Sequence, residues 1–269
     1  MAKLYIVGTP IGNLKDITLR ALETLKAVDI IACEDTRHSL ALLNHYEIKA
    51  RLVAYHKFNE NECGEYLIKE IEDGKNVAII TDAGMPAISD PGAVLVRMCR
   101  ERGVAVEVVP GPTAFASAVA MSGLNSTGFT FLGFMPEKKK LKVALLSKYA
   151  KSEVPVIFYV APHDLKKTAS DIKEIFGDRK VYVCREITKL HECVTETTLA
   201  GFEAEERGEI VMIVEGVEES NPLQEMTIED HLLHYINNGM DKKEAVKKVS
   251  SDRGIPKNEV YQVALDLKV

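Results

Sequence analysis

The stretch TDAGMPAISDPG, residues 81–92, decides the fold that we predict for this chain. It contains two glycines and two prolines within nine residues, and it follows the apolar run VAII at residues 77–80. In open α/β sheets, ligands bind in the crevice outside the carboxyl ends of the strands. Two similar strand-to-loop junctions occur, LYIV into GTPIGN at residues 4–13 and VEVV into PGPT at residues 106–113. Together these junctions predict a small-molecule cleft.

Short apolar strands alternate with amphipathic helices in the first half of the chain, which predicts a mainly parallel sheet with right-handed crossovers. The predicted strands there are residues 4–7, 29–33, 51–54, 77–81 and 105–109. In the second half, only two helices separate the strands, which indicates a mixed, partly antiparallel sheet. The predicted strands are 129–133, 154–160, 180–185, 191–197 and 210–214, and the helices are 138–151 and 163–176.

Two polar, glycine- or proline-bearing stretches predict linkers, SGLNSTG at residues 122–128 and EESNP at 218–222. Beyond the second linker, Thr227, Asp241 and Pro256 each mark the start of a short helix. The predicted fold class is therefore α/β, with two α/β domains, a cleft between them and a short helical tail. The predicted domains are residues 1–122, 129–217 and 226–269. The tail has two open interpretations, a helix-turn-helix-like module or a packing and dimer contact.

The composition is that of an ordinary globular protein, with 46% apolar and 28% charged residues and a net charge of −6. Since no run of 18 apolar residues occurs, we predict no membrane span. The five cysteines lack C-x-x-C spacing, which favours reduced thiols in a cytoplasmic protein and argues against a metal site. Residues 137–151 carry six lysines and one glutamate, and this patch either contacts phosphates or is a solvated helix face.

Several common nucleotide motifs are excluded. The segment GTPIG at residues 8–12 is not a P-loop, because no Lys-Ser or Lys-Thr pair follows it, and it lacks the G-x-G-x-x-G dinucleotide pattern. No G-x-S-x-G nucleophile elbow is present either. These absences argue against kinase, ATPase, dehydrogenase and serine hydrolase activities.

Charged residues at strand ends are the candidates for chemistry. Glu34, Asp35 and Arg37 follow a buried strand, where they form a local ion pair or face a ligand. Asp82 and Asp90 are an acid–base or metal-binding pair, or they cap backbone amides.

In the second half, three more candidates follow strands. His163 is either a catalytic base or a cap of the next helix. Arg185 is a candidate phosphate ligand, and Lys189 is a candidate base or electrostatic stabiliser.

Taken in order, eight segments resemble one known family. They are VGTPIGNL (7–14), CEDTR (33–37), SDPG (89–92), PGPTA (110–114), GFMPEK (133–138), APH (161–163), REITK (185–189) and GEIV (208–211). The chain resembles the RsmI family, the bacterial small-subunit ribosomal RNA (cytidine-2′-O)-methyltransferases of the tetrapyrrole-methylase class. The resemblance covers nearly all 269 residues.

The resemblance implies an enzyme that methylates the ribose 2′-oxygen of a cytidine in 16S ribosomal RNA of the small subunit, as a cytoplasmic homodimer. It implies S-adenosylmethionine in the cleft as the methyl donor, with no metal. The family's donor contacts fall on Pro10, Gly84, Met85, Ile88, Thr113, Ala114 and Val160, and we add Asp82 and Ser89 of the same loop. Glycines let the main chain approach a ligand closely, which agrees with such backbone contacts.

For catalysis we predict Glu34, Asp35 or Lys189 as the base or stabiliser of the acceptor oxygen. The substrate side is predicted to comprise Arg37, Lys138, Lys139, Lys140, His163 and Arg185. The chain departs from the family pattern at Val160, Asp164 and Cys193, which concerns the RNA side. Two alternatives stay open, a methyltransferase of the same fold acting on a tetrapyrrole precursor and a non-enzymatic module that binds the donor or a nucleotide.

Overall fold

The computed structural model of the protein describes residues 2–124, 127–217, 223 and 226–267. The chain divides into two compact units between residues 217 and 218. We call residues 2–122 the first lobe, residues 127–217 the second lobe and residues 226–267 the tail unit. In the described part of the chain, no helix is both long and apolar enough to cross a membrane.

The first lobe contains a parallel five-stranded sheet with strand order β3-β2-β4-β1-β5. Strand β1 lies between β4 and β5, so that Leu4 is in register with both Val77 and Val106. This order brings the loops after β1, β4 and β5 together at one edge of the sheet. The strands are β1 (Leu4–Val7), β2 (Ile30–Cys33), β3 (Arg51–Ala54), β4 (Val77–Ile79) and β5 (Val106–Val109).

Helices cover both faces of this sheet, which explains why its central strands are apolar at every position. On one face, Ile30 and Ile79 pack in a core with Leu67, and on the other face Ile31 packs with Leu25. The helices of the first lobe are α1 (Leu19–Ala27), α2 (Thr36–His45), α3 (Glu60–Glu72), α4 (Ala93–Glu101) and α5 (Ala114–Ser122).

The second lobe contains a mixed sheet with strand order β6-β7-β10-β8-β9. Only the β6–β7 pair is parallel, and the other three pairs are antiparallel. The strands are β6 (Thr130–Phe134), β7 (Val156–Val160), β8 (Lys180–Arg185), β9 (Cys193–Thr198) and β10 (Ile210–Val214), and the helices are α6 (Lys139–Tyr149) and α7 (Leu165–Phe176).

Each face of the second sheet has its own core. On one face, Phe158 and Met212 pack with Ile172 of α7. On the other face, Ile157 and Val211 pack with Ala118 of α5, a helix of the first lobe. The two lobes therefore share a hydrophobic core.

The predicted fold class is confirmed, and every predicted strand is present. Predicted boundaries differ from the observed ones by at most two residues. The difference arises because sheet hydrogen bonds continue past the assigned end of a strand. For example, the Ile80 amide, just after β4, still donates to the carbonyl of Ala32. The predicted linker at 218–222 lies outside the described residues, as do residues 125 and 126 of the other linker. The domain boundaries themselves stay predictions.

The tail unit consists of three helices, α8 (Ile228–Asn237), α9 (Lys242–Arg253) and α10 (Lys257–Asp266). Its predicted helix starts are present, since the Thr227 hydroxyl accepts from the Asp230 amide at 3.0 Å and the Asp241 carboxylate accepts from the Glu244 amide at 2.8 Å. Leu232, Val249 and Val260, one from each helix, form its core.

A histidine is fully buried in the tail unit. His231 is 0% exposed, and Arg253 Nε donates to its Nδ1 at 3.0 Å. Its Nε2 atom lies 3.8 Å from the nearer carboxylate oxygen of Asp252. Burial lowers the pKa of His231 below its usual value, and the positive charge of Arg253 adds to this effect.

We predict that the tail unit loses stability as the pH falls below about 6.5, the usual histidine pKa, because the unfolded chain then binds a proton that the folded unit excludes. Hydrogen exchange followed by mass spectrometry on the full chain, between pH 5 and pH 8, should show this as lost protection in α8–α10. His231→Gln should flatten the dependence. An equally steep loss in that variant would contradict the assignment.

Candidate functional site

An apolar cavity of about 380 Å³ lies between the two lobes of the first unit. Its first-lobe wall consists of the loops that follow β1, β4 and β5. Its second-lobe wall consists of the ends of β6 and β7, the loop after β8 and the start of β10. A cavity of this size at the carboxyl ends of parallel strands is typical of a small-molecule site.

The loop between β4 and α4, which we call the central loop (residues 80–92), has an unusual backbone. Ala87 and Ser89 both have φ of 65°, and Gly84 and Gly92 have φ of 86° and 134°. Positive φ in residues other than glycine costs about 1–3 kcal/mol each and persists only where the surroundings enforce it. Here the loop is tied to the end of β1, because Thr9 and Gly84 exchange backbone hydrogen bonds of 2.9 and 3.1 Å.

Gly8 and Gly111 bring the loops after β1 and β5 into direct backbone contact. A Cβ atom added to Gly8 would lie 2.7 Å from the Gly111 Cα and 2.7 Å from the Met85 sulfur. Real Cβ atoms do not approach other atoms so closely. The cleft wall can therefore close at this point only because both residues lack a side chain.

The lobes meet closely at two further glycines on either side of the cavity. A Cβ atom on Gly133 of β6 would lie 2.6 Å from the Ser89 hydroxyl oxygen. A Cβ atom on Gly12 would lie 2.7 Å from the Lys189 side chain. The central loop and the loop after β8 thus each press against a glycine of the opposite lobe.

Most of the residues predicted to contact the methyl donor line this cavity. They are Gly84, Met85, Ile88, Ser89, Thr113, Ala114 and Val160. Pro10 and Asp82 were predicted with them, but they are not among the lining residues. The structure brings the seven together without a bound ligand, so their donor-binding role stays a prediction.

The carboxylates at the ends of β2 and β4 influence one another. Burial raises the pKa of Asp90 to about 6, and the negative charges of Glu34 and Asp82 add to the shift. Burial also raises the pKa of Glu34, with a further contribution from Asp82. Asp90 lines the cavity, whereas Glu34 and Asp82 do not.

Asp35 and Arg37 form the local ion pair that was one of the two interpretations of this segment. The Asp35 carboxylate accepts from the Arg37 amide at 2.8 Å as the N-cap of α2, and it lies 2.9 Å from Arg37 Nη2. The Arg37 side-chain bond lowers the pKa of Asp35 to about 2. Neither residue lines the cavity. The geometry therefore does not favour Asp35 as a catalytic base.

Lys189 is bound by two carboxylates, with its Nζ atom 3.1 Å from Glu186 Oε1 and 3.1 Å from Glu209 Oε2. Burial lowers the pKa of Lys189, but these bonds outweigh burial and raise it above its usual value. The ammonium therefore stays protonated at neutral pH, which argues against Lys189 as a base. Its loop is strained, with φ of 52° at Glu186 and 69° at Thr188.

The predicted substrate-side residues differ in how far they are exposed to solvent. Arg185 is 9% exposed and pairs with Glu205, so its guanidinium is not presented to a phosphate. The His163 side chain is 80% exposed in a short 3₁₀ turn before α7, at 3.4 Å from Asp164. The basic stretch at the start of α6 is exposed to solvent at Lys138, Lys139 and Lys140.

Phe134, Tyr159, Ile187 and Glu209 are among the lining residues that were not predicted. Phe134 is 61% exposed, and its ring centroid lies 5.4 Å from that of Tyr159. An aromatic residue with a polar tip in the apolar strand VIFYV was the available signal for Tyr159.

The described residues offer no metal centre, since no group of three His, Cys, Asp or Glu side chains among them is arranged to hold an ion. All five cysteines are free thiols, four of them buried and Cys193 partly exposed.

The sequence model of the tetrapyrrole (corrin/porphyrin) methylases matches residues 3–203, which comprise both lobes with their two sheets except β10. The chain belongs to the tetrapyrrole methylase family. The cavity between the lobes is therefore a cavity of a methylase fold.

Several relatives match this chain over most of their length. The Bacillus subtilis protein named ribosomal RNA small subunit methyltransferase I is 43% identical over 97% of this chain and 93% of its own length. The Escherichia coli O157:H7 protein of the same name is 41% identical over 98% of this chain and 95% of its own. The Thermotoga maritima one is 44% identical over 85% of this chain and 97% of its own.

Solved structures share the fold at low sequence identity. The methyltransferase CobJ matches with a TM-score of 0.64 at 15% identity, over 81% of this chain and 95% of its own. Uroporphyrin-III C-methyl transferase from Thermus thermophilus, in complex with S-adenosyl homocysteine, matches with a TM-score of 0.56 at 19% identity, over 80% and 97% of the two chains.

We predict that Gly8→Ala lowers the free energy of unfolding by about 1–3 kcal/mol, because the added methyl group overpacks the contact with Gly111 and Met85. Urea denaturation checks this. Gly201→Ala is the control, since a Cβ atom there meets nothing closer than 3.5 Å, and it should change the free energy by less than about 1 kcal/mol. Equal effects of the two substitutions would refute the packing argument.

Proposed function

We propose that the chain transfers a methyl group from S-adenosylmethionine to the ribose 2′-oxygen of a cytidine in 16S ribosomal RNA of the small subunit. The observation that carries this proposal is the near full-length similarity, at 41–43% identity, to relatives named ribosomal RNA small subunit methyltransferase I. A ribosomal substrate places the activity in the cytoplasm. The homodimer that the resemblance implies stays a prediction.

The cavity between the lobes suits a cationic donor. Asp90, Tyr159 and Glu209 are the described lining residues with ionisable side chains, and two of them are acidic. S-adenosylmethionine supplies an electrophilic methyl group on a positively charged sulfonium. Acidic residues on the wall attract such a cation and would repel an anion. We propose that Gly84, Thr113 and Val160 hold the donor, mainly through the main chain of the loops.

Methyl transfer to a hydroxyl depends on positioning. The acceptor oxygen must lie about 3 Å from the methyl carbon, and holding two reactants in this way can supply about 7–11 kcal/mol of the barrier reduction. The two lobes contribute opposite walls of the cavity, so that a nucleotide entering between them is held from both sides.

We propose that the nucleotide enters past Phe134. Its ring is exposed on the cavity wall, and the segment that follows it leads directly to the lysines at the start of α6. A base stacked on an aromatic side chain gains about 1–3 kcal/mol irrespective of sequence, and lysines bind the flanking phosphates.

The first experiment measures methyl transfer from labelled S-adenosylmethionine to small ribosomal subunits that lack the modification. We expect label in an alkali-resistant dinucleotide at one cytidine, since a 2′-O-methyl group blocks cleavage of the adjacent phosphodiester. Fully modified subunits are the control and should accept no label. Label on a base would overturn the ribose assignment, and transfer only to a tetrapyrrole would favour the alternative acceptor.

We predict that the triple variant Lys138→Gln, Lys139→Gln, Lys140→Gln binds the RNA more weakly, with a logarithmic salt slope smaller by about 2. Fluorescence anisotropy across a potassium chloride series checks this. The matched control neutralises the exposed lysines Lys26, Lys49 and Lys69 of the first lobe, and its slope should equal that of the natural chain. Identical slopes in both triple variants would refute the proposed footprint.

A further inference from the structure

Phe58 lies on the loop between β3 and α3 (residues 55–59), and it is 94% exposed. Its neighbour Lys57 is exposed as well. One exposed apolar side chain is ordinary on a protein surface and needs no explanation by itself. Here, however, the loop is rigid and lies beside the cavity, and these two features together indicate that the ring has a use.

Hydrogen bonds hold the loop in one conformation. The Asn59 side chain accepts from the His56 amide at 2.8 Å and donates to the Ala54 carbonyl at 2.9 Å. Tyr55 is buried, and its amide donates to the Cys33 carbonyl of β2 at 2.8 Å. A ring presented on a fixed loop loses little conformational entropy when it binds a partner.

The loop that carries Phe58 adjoins the central loop. Strands β3, β2 and β4 are parallel neighbours, so the segments that follow them emerge at the edge of the sheet that faces the cavity. The Gly92 amide, at the end of the central loop, donates to Glu60 Oε1 at 3.2 Å. Since Glu60 is the first residue of α3, this bond fixes the segment that carries Phe58 against the loop that forms part of the cavity wall.

Phe58 lies at the same end of the cleft as Phe134. The loop after β1 meets the loop after β8 at Gly12, and the central loop, which follows β4, meets β6 at Gly133. The order β1, β4, β2, β3 in one sheet therefore runs alongside the order β8, β10, β7, β6 in the other. This places β3 and β6 at one end of the cleft, with Phe58 after the first strand and Phe134 at the carboxyl end of the second.

We propose that Phe58 and Lys57 form a second contact site for the acceptor RNA, an assignment that rests on the proposed function. The base of a nucleotide next to the target cytidine stacks on the Phe58 ring, and Lys57 binds its phosphate. Proteins that recognise unpaired RNA commonly stack bases on aromatic side chains, and lysines attract the backbone. The rings of Phe58 and Phe134, one on each lobe, then hold the strand from both sides of the entrance.

A nucleotide fits this surface better than a second copy of the chain. A stable interface between proteins buries about 800 Å² on each partner. Among residues 41–87, all of which the structure describes, Phe58 is the one large apolar residue with an exposed side chain. One ring beside a lysine offers too little apolar surface for such an interface, but it matches a single base with its phosphate.

The first experiment measures co-sedimentation of the protein with unmodified small ribosomal subunits. Phe58→Ala should weaken binding by about 5- to 150-fold, the loss expected for one base–aromatic stack. Phe58→Trp should bind within about threefold of the natural chain, whereas Phe58→Leu, which is apolar but lacks a π face, should bind as weakly as the alanine variant. Phe129→Ala is the matched control, because Phe129 is 44% exposed just before β6, at the end away from the cavity.

The rate of methyl transfer separates a binding contact from a group that acts on the reacting atoms. Phe58 is not among the residues that line the cavity. At saturating subunits, Phe58→Ala should therefore transfer methyl groups within about threefold of the natural rate. Calorimetry should find its affinity for S-adenosylmethionine unchanged within the same factor.

Lys57→Gln should reduce the logarithmic salt slope of subunit binding by about 1, because one phosphate contact is lost. Lys49→Gln is the matched control, since Lys49 is exposed before β3, at the opposite edge of the sheet. Equal slopes in the two variants would refute the phosphate contact of Lys57.

A second copy of the chain is tested without RNA. The chain contains no tryptophan, so Phe58→Trp introduces its only indole. The emission maximum of this variant should stay that of a solvent-exposed indole at every protein concentration. A blue shift that grows with concentration would assign the ring to a contact between copies and overturn the proposal.

Two results of the binding experiment would also overturn it: unchanged binding of Phe58→Ala, or natural binding of Phe58→Leu. Failure of the proposed function is distinguishable, because the natural chain itself would then transfer no label to the RNA, and the assignment would fall with it. If the natural chain methylates the RNA and Phe58→Ala binds it equally well, the inference about Phe58 alone is wrong.

Discussion

The packing of α5 onto the second sheet is the interaction on which the cleft depends. This helix begins at Ala114 in the cavity wall, and its Ala118 is fully buried against Ile157 and Val211 of the opposite lobe. Its sequence AFASAVAMS is apolar on nearly every side, so the helix is stable only when both lobes cover it. The small side chain of Ala118 lets the helix approach the sheet closely. One helix therefore both lines the site and joins the two walls that form it.

The charged residues around the cavity differ in whether they form ion pairs. The cations that the sequence places at strand ends, Arg185 and Lys189, are neutralised by Glu205 and by Glu186 with Glu209. Among the residues that the structure describes, no ion pair involves Glu34 or Asp90, and burial raises the pKa of both. The described ionisable residues of the cavity wall, Asp90, Tyr159 and Glu209, include no cation, and the exposed lysines at the start of α6 lie outside the cavity. This separation fits a cationic donor inside and a polyanionic acceptor outside.

Much of the fold could be predicted from the sequence, because hydrophobic periodicity reports burial directly. The run VAII before the central loop predicted a buried strand, and the paired glycines and prolines predicted the junction at which the cavity lies. Side-chain partners were less accessible, because they depend on residues distant in sequence. No feature of the sequence around Arg185 indicates that Glu205 binds it. Likewise, no feature around Ser89 indicates that its side chain contacts Gly133. Phe134 was not predicted, because the exposure of its ring on the cavity wall depends on how the two lobes pack together.

The glycine contacts at residues 8, 12, 111 and 133 have a consequence for how such a fold diverges. A Cβ atom at residue 8 or 111 would meet backbone atoms, and one at residue 12 or 133 would meet a side chain of the opposite lobe, so a replacement at any of these positions requires its neighbours to shift. If main-chain atoms hold the donor, as we propose, its binding depends little on the identity of the side chains elsewhere on the wall. This difference offers an explanation of how solved structures at 14–22% identity, such as those of cobalt precorrin-4 methyltransferase and diphthine synthase, share one architecture with this chain. In such a fold, mutation rarely alters the shape of the cleft, whereas the molecule that accepts the methyl group can change during evolution.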